Sequence, residues 1–374
     1  MSHPTHSFNG GTRVGEGNYG TVFTPALRCK PDTRIKLRNV SRNPNQSVGK
    51  LTSHKDADLE RKISAELATL PNADAYFVLI DEVCIPAPRA EQTETDIERS
   101  VILKDRQLTS FEQLIMPFGG SPISLVPVLM KTIDFFPLVQ HLLEAGTLLL
   151  IKGIVHYDIH RANVLLEHKS QTRLIDFGVA WKPKELTLKT IPPIYTSFDP
   201  KITTETPEVS VISGILHSVA VNKAMDIVYQ DKSSLILYSQ LTGISMTDVQ
   251  KIFETYINTS ICFQKQDWFT FFQIYWSKMD SWSIGVIIMH IYYSLLQDPL
   301  FTNSDYHVKN RKTILQVIQY ICSPDAGKRY DCAEALEVWN PQSPVLNNKD
   351  VQAWLQTHRT IRQELNSILA SNPP

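Results

Sequence analysis

The sequence predicts an α+β protein in two parts, a smaller β-rich N-terminal part and a larger helical C-terminal part. Three observations carry this. Short β-type runs gather in the first third: Thr21-Val22-Phe23, Val48-Gly49-Lys50-Leu51, Tyr76–Ile80 and Gln113–Met116. Apolar residues at helical spacing dominate later, over 135–143, 211–228, 249–257, from Asp280 onward and over 351–369. The length, 374 residues, is enough for two lobes.

Bulk properties exclude several classes. A net charge of −1 gives no support for a nucleic-acid-binding surface, so no nucleic-acid partner is expected. The most apolar stretch, Leu142 to Val155, is broken by Glu144 and Lys152 and is too short for a bilayer, so no membrane association is expected. The N-terminus lacks the apolar core of a signal peptide. Cys29, Cys84, Cys262, Cys322 and Cys332 are scattered without a C-x-x-C pair. That spacing predicts neither a zinc knuckle nor a disulfide framework, and with it a reducing, cytoplasmic setting.

In chain order, residues 1–11 read as a loose arm. Val14-Gly15-Glu16-Gly17-Asn18-Tyr19-Gly20 follows, with Thr21-Val22-Phe23 after it. A side chain on these glycines would hold the backbone away from a phosphate. A dinucleotide fold needs a helix after this spacing, whereas a β-run follows here, which suits a hairpin lid. Residues 30–47 read as a surface excursion. The strand at Val48–Leu51 carries Lys50. Ser53 and Asp56 then cap a helix whose buried face is Leu59, Ile63, Leu67 and Leu70, with Glu60 beside that stripe. Arg89 to Arg99 reads as a charged loop, and Met116-Pro117-Phe118-Gly119-Gly120 as a connection between the two parts.

The chemistry concentrates between His156 and Gly178. His156-Tyr157-Asp158-Ile159-His160-Arg161-Ala162-Asn163 stands before the short apolar run Val164–Leu166, and Asp176-Phe177-Gly178 follows Leu174-Ile175. A short hairpin would bring Asp158, Asn163 and Asp176 to one mouth. One carboxylate there can meet a hydroxyl, while an amide and a second carboxylate hold a hard cation such as magnesium.

This pair of loops resembles the catalytic loop and the Asp-Phe-Gly loop of eukaryotic-type protein kinases. Other segments resemble that family in the same order along Val14 to Trp339: the glycine run, Lys50 with Glu60, the 116–120 hinge, Thr206-Pro207-Glu208, Asp280-Ser281-Trp282-Ser283-Ile284-Gly285, and Ser323 to Arg329. The whole is similar to the divergent serine/threonine kinase-like proteins of large DNA viruses. The resemblance implies a two-lobed fold, with the N-lobe over 12–116, the C-lobe over 117–340, and a linker and final helix over 341–374. It implies ATP and Mg2+, or Mn2+, as cofactors, and a protein substrate. Val14, Gly15, Gly17, Gly20, Val22, Lys50, Glu60, Met116 and Phe118 would bind ATP, with backbone groups of the hinge on the adenine. Asp158, His160, Arg161 and Asn163 would be catalytic, and Asn163 and Asp176 the metal ligands. Lys36 and Glu66 remain open substitutes for Lys50 and Glu60. Asp280 would brace the catalytic loop, and Glu208 would pair with Arg329. A viral relation would place the protein in host cytoplasm or virion.

The chain departs from the pattern in two places. A long segment, about 209–275, separates Pro207-Glu208 from Asp280 and reads as a helical insert, with Thr247 and Gln250 as a capping box and a possible docking partner. In the catalytic loop, Tyr157 and His160 stand where serine/threonine kinases carry Arg and Lys. His160 also fits small-molecule kinases of the aminoglycoside and choline type. That rival, and a pseudokinase scaffold docking through the insert, are the alternatives. The segment after Gly178 resembles an activation loop with acceptors Thr187, Thr190, Thr196 and Ser197.

Overall fold

The computed structural model describes residues 11–17, 20–40, 46–92, 96–187, 191 and 197–358. The chain forms two compact units. One is Met1–Gly120 together with Ile175–Ala180; the other is Ser121–Leu174 with Trp181 onward.

The first unit is built on a six-stranded sheet. Its strands are β1 (Thr12–Gly17), β2 (Gly20–Thr24), β3 (Ile35–Lys36), β4 (Ser47–Thr52), β5 (Glu82–Cys84) and β6 (Glu112–Pro117), in the order β1-β2-β4-β6-β5-β3. Every neighbouring pair is antiparallel, as hairpin and local connections allow. β4 is central and covered on both faces. Leu51 joins a core with Phe23, Leu27, Ile97, Leu103, Leu108 and Phe111. Alternation then sends Lys50 to the other face, where it is only 7% exposed.

Helix α1 (His54–Leu67) follows β4 directly. The Ser53 hydroxyl accepts the Asp56 N–H at 3.2 Å and donates to the Asp56 carboxylate at 2.7 Å, as the sequence predicts. The buried face differs from the expected one. It is Ala57, Glu60, Ile63, Ser64 and Leu67, while Leu59 is only half-buried and Leu70 lies beyond the helix end. Tyr76–Ile80 is not a strand. A one-turn helix, α2 (Ala73–Tyr76), starts from Asn72 at φ 55°, and the Ile80 N–H goes to the Ser64 hydroxyl of α1 at 2.8 Å instead of to a ladder. The 30–47 excursion contains β3, and the 89–99 loop contains two 3-10 turns.

Cys29 and Cys84 form a disulfide, with Cα atoms 5.8 Å apart. This overturns the expectation of unpaired cysteines and removes that argument for a reducing compartment. The spacing hid it, because 55 residues separate the partners and the isolated Cys29–Pro86 bridge beside β5 brings them together. Cys262, Cys322 and Cys332 are free and buried.

The second unit is mainly helical. A three-stranded sheet, β7 (Ser121–Pro122), β8 (Val164–Glu167) and β9 (Gln171–Leu174), carries the hairpin expected after Asn163. The core helices are α3 (Phe135–Ile151) and α10 (Met279–Leu295). Gly146 of α3 lies against Ile284 of α10, where an added Cβ would sit 2.8 Å from the Ile284 side chain. The insert forms α4 (Pro207–Leu216), α5 (Val221–Asp231), α6 (Ser233–Thr242), α7 (Met246–Thr259), α8 (Ile261–Lys265) and α9 (Trp268–Tyr275). The single helix expected over 211–228 is broken at Ser218, which sits at φ 65°. The α7 cap is Ser245, whose hydroxyl accepts the Asp248 N–H at 3.1 Å; Thr247 is already inside the helix and Gln250 bonds Glu254 instead.

Helices α11 (Pro299–Thr302), α12 (Asp305–Ile321) and α13 (Cys332–Trp339) complete this unit. The expected 341–348 linker packs: Ser343 is buried and donates to Glu144 of α3 at 2.6 Å. Helix continues over 349–358 with Val351 and Leu355 buried; the rest of the predicted 351–369 helix, and arm residues 1–10, lie outside the described residues. Among those described, no helix is long and apolar enough to cross a membrane.

Candidate active site

In the first unit the functional side chains meet at Lys50. The antiparallel register sets Val22 and Leu114 on either side of it. Its ammonium donates to Glu60 of α1 at 2.5 Å and to Asp176 at 2.8 Å. Burial works against the ammonium charge, but the two carboxylates outweigh it and hold Lys50 above the ordinary lysine range. Burial pushes Glu60 up to about 7, with Lys50 opposing and Asp176 adding to the rise. Two carboxylates on one ammonium leave an excess negative charge, which suits a further cation.

The Asp-Phe-Gly segment reaches this place by a specific conformation. Asp176 sits at φ 67°, a costly left-handed geometry for a non-glycine residue. Phe177 is buried with its ring edge-on to Phe77, centroids 6.2 Å apart. The alternative ligands fall elsewhere: Lys36 is exposed on β3, and Glu60, not Glu66, takes the ammonium.

Of the three loop glycines, Gly20 has a steric reason within the fold. A Cβ there would lie 2.5 Å from the Leu51 carbonyl of β4. Gly17 has nothing within 4 Å, and Gly15 meets only Val22 at 3.9 Å, so the sheet itself does not demand glycine there. Asn18 and Tyr19 lie outside the described residues. Val14 is 52% exposed. At the other end of the sheet Met116 packs against Ala57, Ile80, Val83 and Leu114. The Phe118 N–H donates to the Gln46 carbonyl at 3.0 Å, so this amide is already engaged, while its ring is 52% exposed.

In the second unit the loop from His156 to Asn163 is fixed from below. Asp280, in the first turn of α10, accepts the N–H of His156 at 2.7 Å and of Tyr157 at 2.9 Å. Burial raises the Asp280 pKa, opposed by these contacts. Tyr157 takes the left-handed region at φ 68°. The turn exposes Asp158, whose side chain remains 29% accessible. The Asn163 amide nitrogen donates to the Asp158 carbonyl at 3.0 Å and to its carboxylate at 3.3 Å. That orientation keeps the Asn163 Oδ1 available as an oxygen ligand. His160 Nδ1 accepts the Ala162 N–H at 3.1 Å, which assigns a proton to Nε2, 3.6 Å from the Asp158 carboxylate.

Metal fit rests on these oxygens. Among the described residues no group of three or more His, Cys, Asp or Glu could hold a metal ion. Magnesium does not need one, since it keeps waters and phosphate oxygens and takes one or two protein ligands.

Two supports confirm the sequence expectations. Glu208 and Arg329 pair through two bonds, 2.7 and 3.0 Å, both buried, with the guanidinium 4.9 Å from the Trp282 ring centroid. Asp280 braces the loop as expected.

Other residues were not legible. Tyr157 lies edge-on to Trp181, and Trp181 edge-on to Phe272 of α9, at 6.1 and 5.9 Å. Val155 and Trp181 exchange both backbone bonds at 2.9 Å. Lys232, between α5 and α6, is fully buried and donates to the Pro200 and Ile202 carbonyls and the Ser210 hydroxyl, at 3.2, 2.9 and 2.8 Å. Trp181, close behind Asp-Phe-Gly, was a visible signal; Lys232 had none, being one lysine in an insert without a pattern.

No family model matches the chain. MAP3K epsilon protein kinase 1 of Arabidopsis thaliana and the protein of that name from Brassica napus are each 26% identical to it over 208 residues. The match covers 55% of this chain and 13% of each relative, so the chain spans a small fraction of their length. The chain is thus distantly similar to a protein kinase, with a β-rich N-terminal unit and a larger helical one.

Proposed function

We propose that the chain is an ATP-dependent protein kinase that transfers the γ-phosphate to protein hydroxyls, serine or threonine. The observation that carries this is the buried Lys50 with Glu60 and Asp176. Three titratable groups from a strand, a helix and a segment 126 residues further on are costly to desolvate together, and hydrophobic packing would be cheaper. Such a cluster fits a chain that handles phosphate and a cation.

In this reading Lys50, steadied by Glu60, holds phosphate oxygens, and the Gly15 to Gly20 hairpin approaches them with its amides. Val14, Val22, Met116 and Phe118 provide apolar surface for the base. Magnesium neutralises phosphate charge when bound, with Asn163 and Asp176 as its protein oxygens. Asp158 orients the acceptor hydroxyl and accepts its proton. Arg161 supplies positive charge for the transferring phosphoryl group and His160 Nε2–H a neutral hydrogen-bond donor, in place of the usual lysine. The fixed turn at Asp158, rather than covalent chemistry, supplies the rate through positioning. The insert remains a candidate docking surface.

The test is transfer of labelled γ-phosphate to generic proteins, with and without magnesium. Phosphoserine or phosphothreonine formed only with the metal supports the reading. Transfer to aminoglycosides or choline and to no protein contradicts it.

A further inference from the structure

Beside the Asp158 loop the second unit contains a cavity of about 290 Å³, lined by Ile159, His160, Arg161, Thr203, Ser283 and His290 among others. Its charged lining is one-sided. Arg161 forms no ion pair with an acid among the described residues, and its Nε is buried without a hydrogen-bond partner. Burial, and then the Arg161 charge, depress the His290 pKa, which keeps that imidazole neutral and leaves the charge to the guanidinium. Asp158 lies close to this lining, its carboxylate 3.6 Å from His160 Nε2. The opposite wall is fixed: Ser283 donates to the Thr204 carbonyl at 2.7 Å and Trp282 Nε1 to the Thr203 carbonyl at 3.2 Å. The cavity therefore has a rigid wall, an apolar base at Ile159 and an uncompensated guanidinium.

We propose that this cavity receives an anionic side chain of the protein substrate, a carboxylate or a phosphate, close in sequence to the acceptor residue. The inference rests on the reading of Asp158 as the group that meets the acceptor hydroxyl. His160 faces both Asp158 and the cavity, so the acceptor and the anion lie on either side of one imidazole. An extended peptide advances about 3.3 Å per residue, which places the anion within a few residues of the acceptor. Arginine is the side chain that binds carboxylate or phosphate through two parallel bonds, and here it lacks such a partner. The substrate class is thus an acidic or already phosphorylated serine/threonine segment.

The test is a panel of serine peptides carrying Ala, Lys, Asp or phosphoserine at each flanking position, used with the wild type, Arg161→Gln and Arg161→Lys. Two quantities are read: kcat/KM for transfer, and peptide affinity by fluorescence anisotropy. At one or more positions the wild type should favour the anion over lysine by at least about tenfold, close to 1.4 kcal/mol. Arg161→Gln should collapse that ratio and Arg161→Lys retain part of it. Preference for phosphoserine alone identifies a phosphate site, and equal preference for Asp a site that reads charge. Efficient transfer without any anion preference, or a preference unchanged in Arg161→Gln, overturns the inference and leaves the kinase reading standing. Anion-selective binding lost in Arg161→Gln, with no transfer to any peptide, keeps the anion site and refutes the kinase reading. Neither selective binding nor transfer refutes both.

Discussion

Lys50 of β4 donates to Glu60 of α1 at 2.5 Å, across ten residues of sequence that include the turn between strand and helix. The capped start of α1 at Ser53 sets the phase that turns Glu60 inward. Lys50→Met removes the ammonium and leaves two carboxylates facing each other. The expected result is loss of nucleotide affinity by about 1.5–3 kcal/mol, the worth of a hydrogen bond to a charged group. Lys36→Met, on exposed β3, should change it little. Titration with a fluorescent ATP analogue checks this, and the opposite ranking would move the phosphate contact to Lys36.

Glu60 provides a pH dependence with a definite sign. Its folded-state pKa, about 7, lies above the ordinary 4.5. The folded protein therefore holds a proton that the unfolded chain has released between those values. The associated stability is fully present below the unfolded value and is lost as pH rises through 7. Denaturant midpoints from about pH 5 to about pH 8 should fall more in the wild type than in Glu60→Gln. Asp176→Asn, which removes a neighbouring negative charge, should lower the Glu60 titration followed by carboxyl NMR. Parallel midpoint curves for wild type and Glu60→Gln would contradict the assignment.

The buried Glu208–Arg329 pair is expected to be structural. Removing one partner strands a charge inside the second unit, which costs about 3–5 kcal/mol. Glu208→Gln and Arg329→Met should each show this in urea unfolding. The double replacement Glu208→Gln with Arg329→Met should cost less than the sum of the two. Strict additivity would show that the two side chains act separately.

Much of this was legible because local rules and distant contacts agreed. The Ser53 cap and the β8–β9 hairpin each follow from short-range patterns with one way to close, whereas the Asp280 brace spans 124 residues and was implied by the kinase resemblance alone. The extended run at Tyr76–Ile80 looked like a strand, but Asn72 turned its start into a helix and Ser64 took the Ile80 N–H. The Cys29–Cys84 bond and the Lys232 clamp depend on tertiary proximity between segments without a shared motif. The cavity at Arg161 was hidden for the same reason, since His290 joins it only through the packing of α10.

The loop after Asp-Phe-Gly should not need a phosphate. The arginine that would call for one is replaced by Tyr157, held in the Trp181–Phe272 ring series. Lys232 clamps Pro200 and Ile202 further along. Of the four candidate acceptors, Thr190 and Thr196 lie outside the described residues, while Thr187 and Ser197 are exposed. Phosphatase-treated protein and a variant with all four changed to alanine should keep turnover within tenfold, about 1.4 kcal/mol of barrier. Lys232→Met should lose more than either. A larger loss from the alanine variant than from Lys232→Met would show that the loop depends on its phosphate.

The most direct measurement of the phosphotransfer reading is made on Asp158. Asp280 holds the loop through the His156 and Tyr157 N–H groups and Asn163 also bonds the Asp158 carbonyl, so Asp158→Asn should leave the loop folded. Labelled γ-phosphate transfer to protein serine and threonine is followed with magnesium, beside ATP affinity for the same variant. The account predicts turnover lower by several orders of magnitude with ATP affinity nearly unchanged. Near-normal turnover in Asp158→Asn would contradict it.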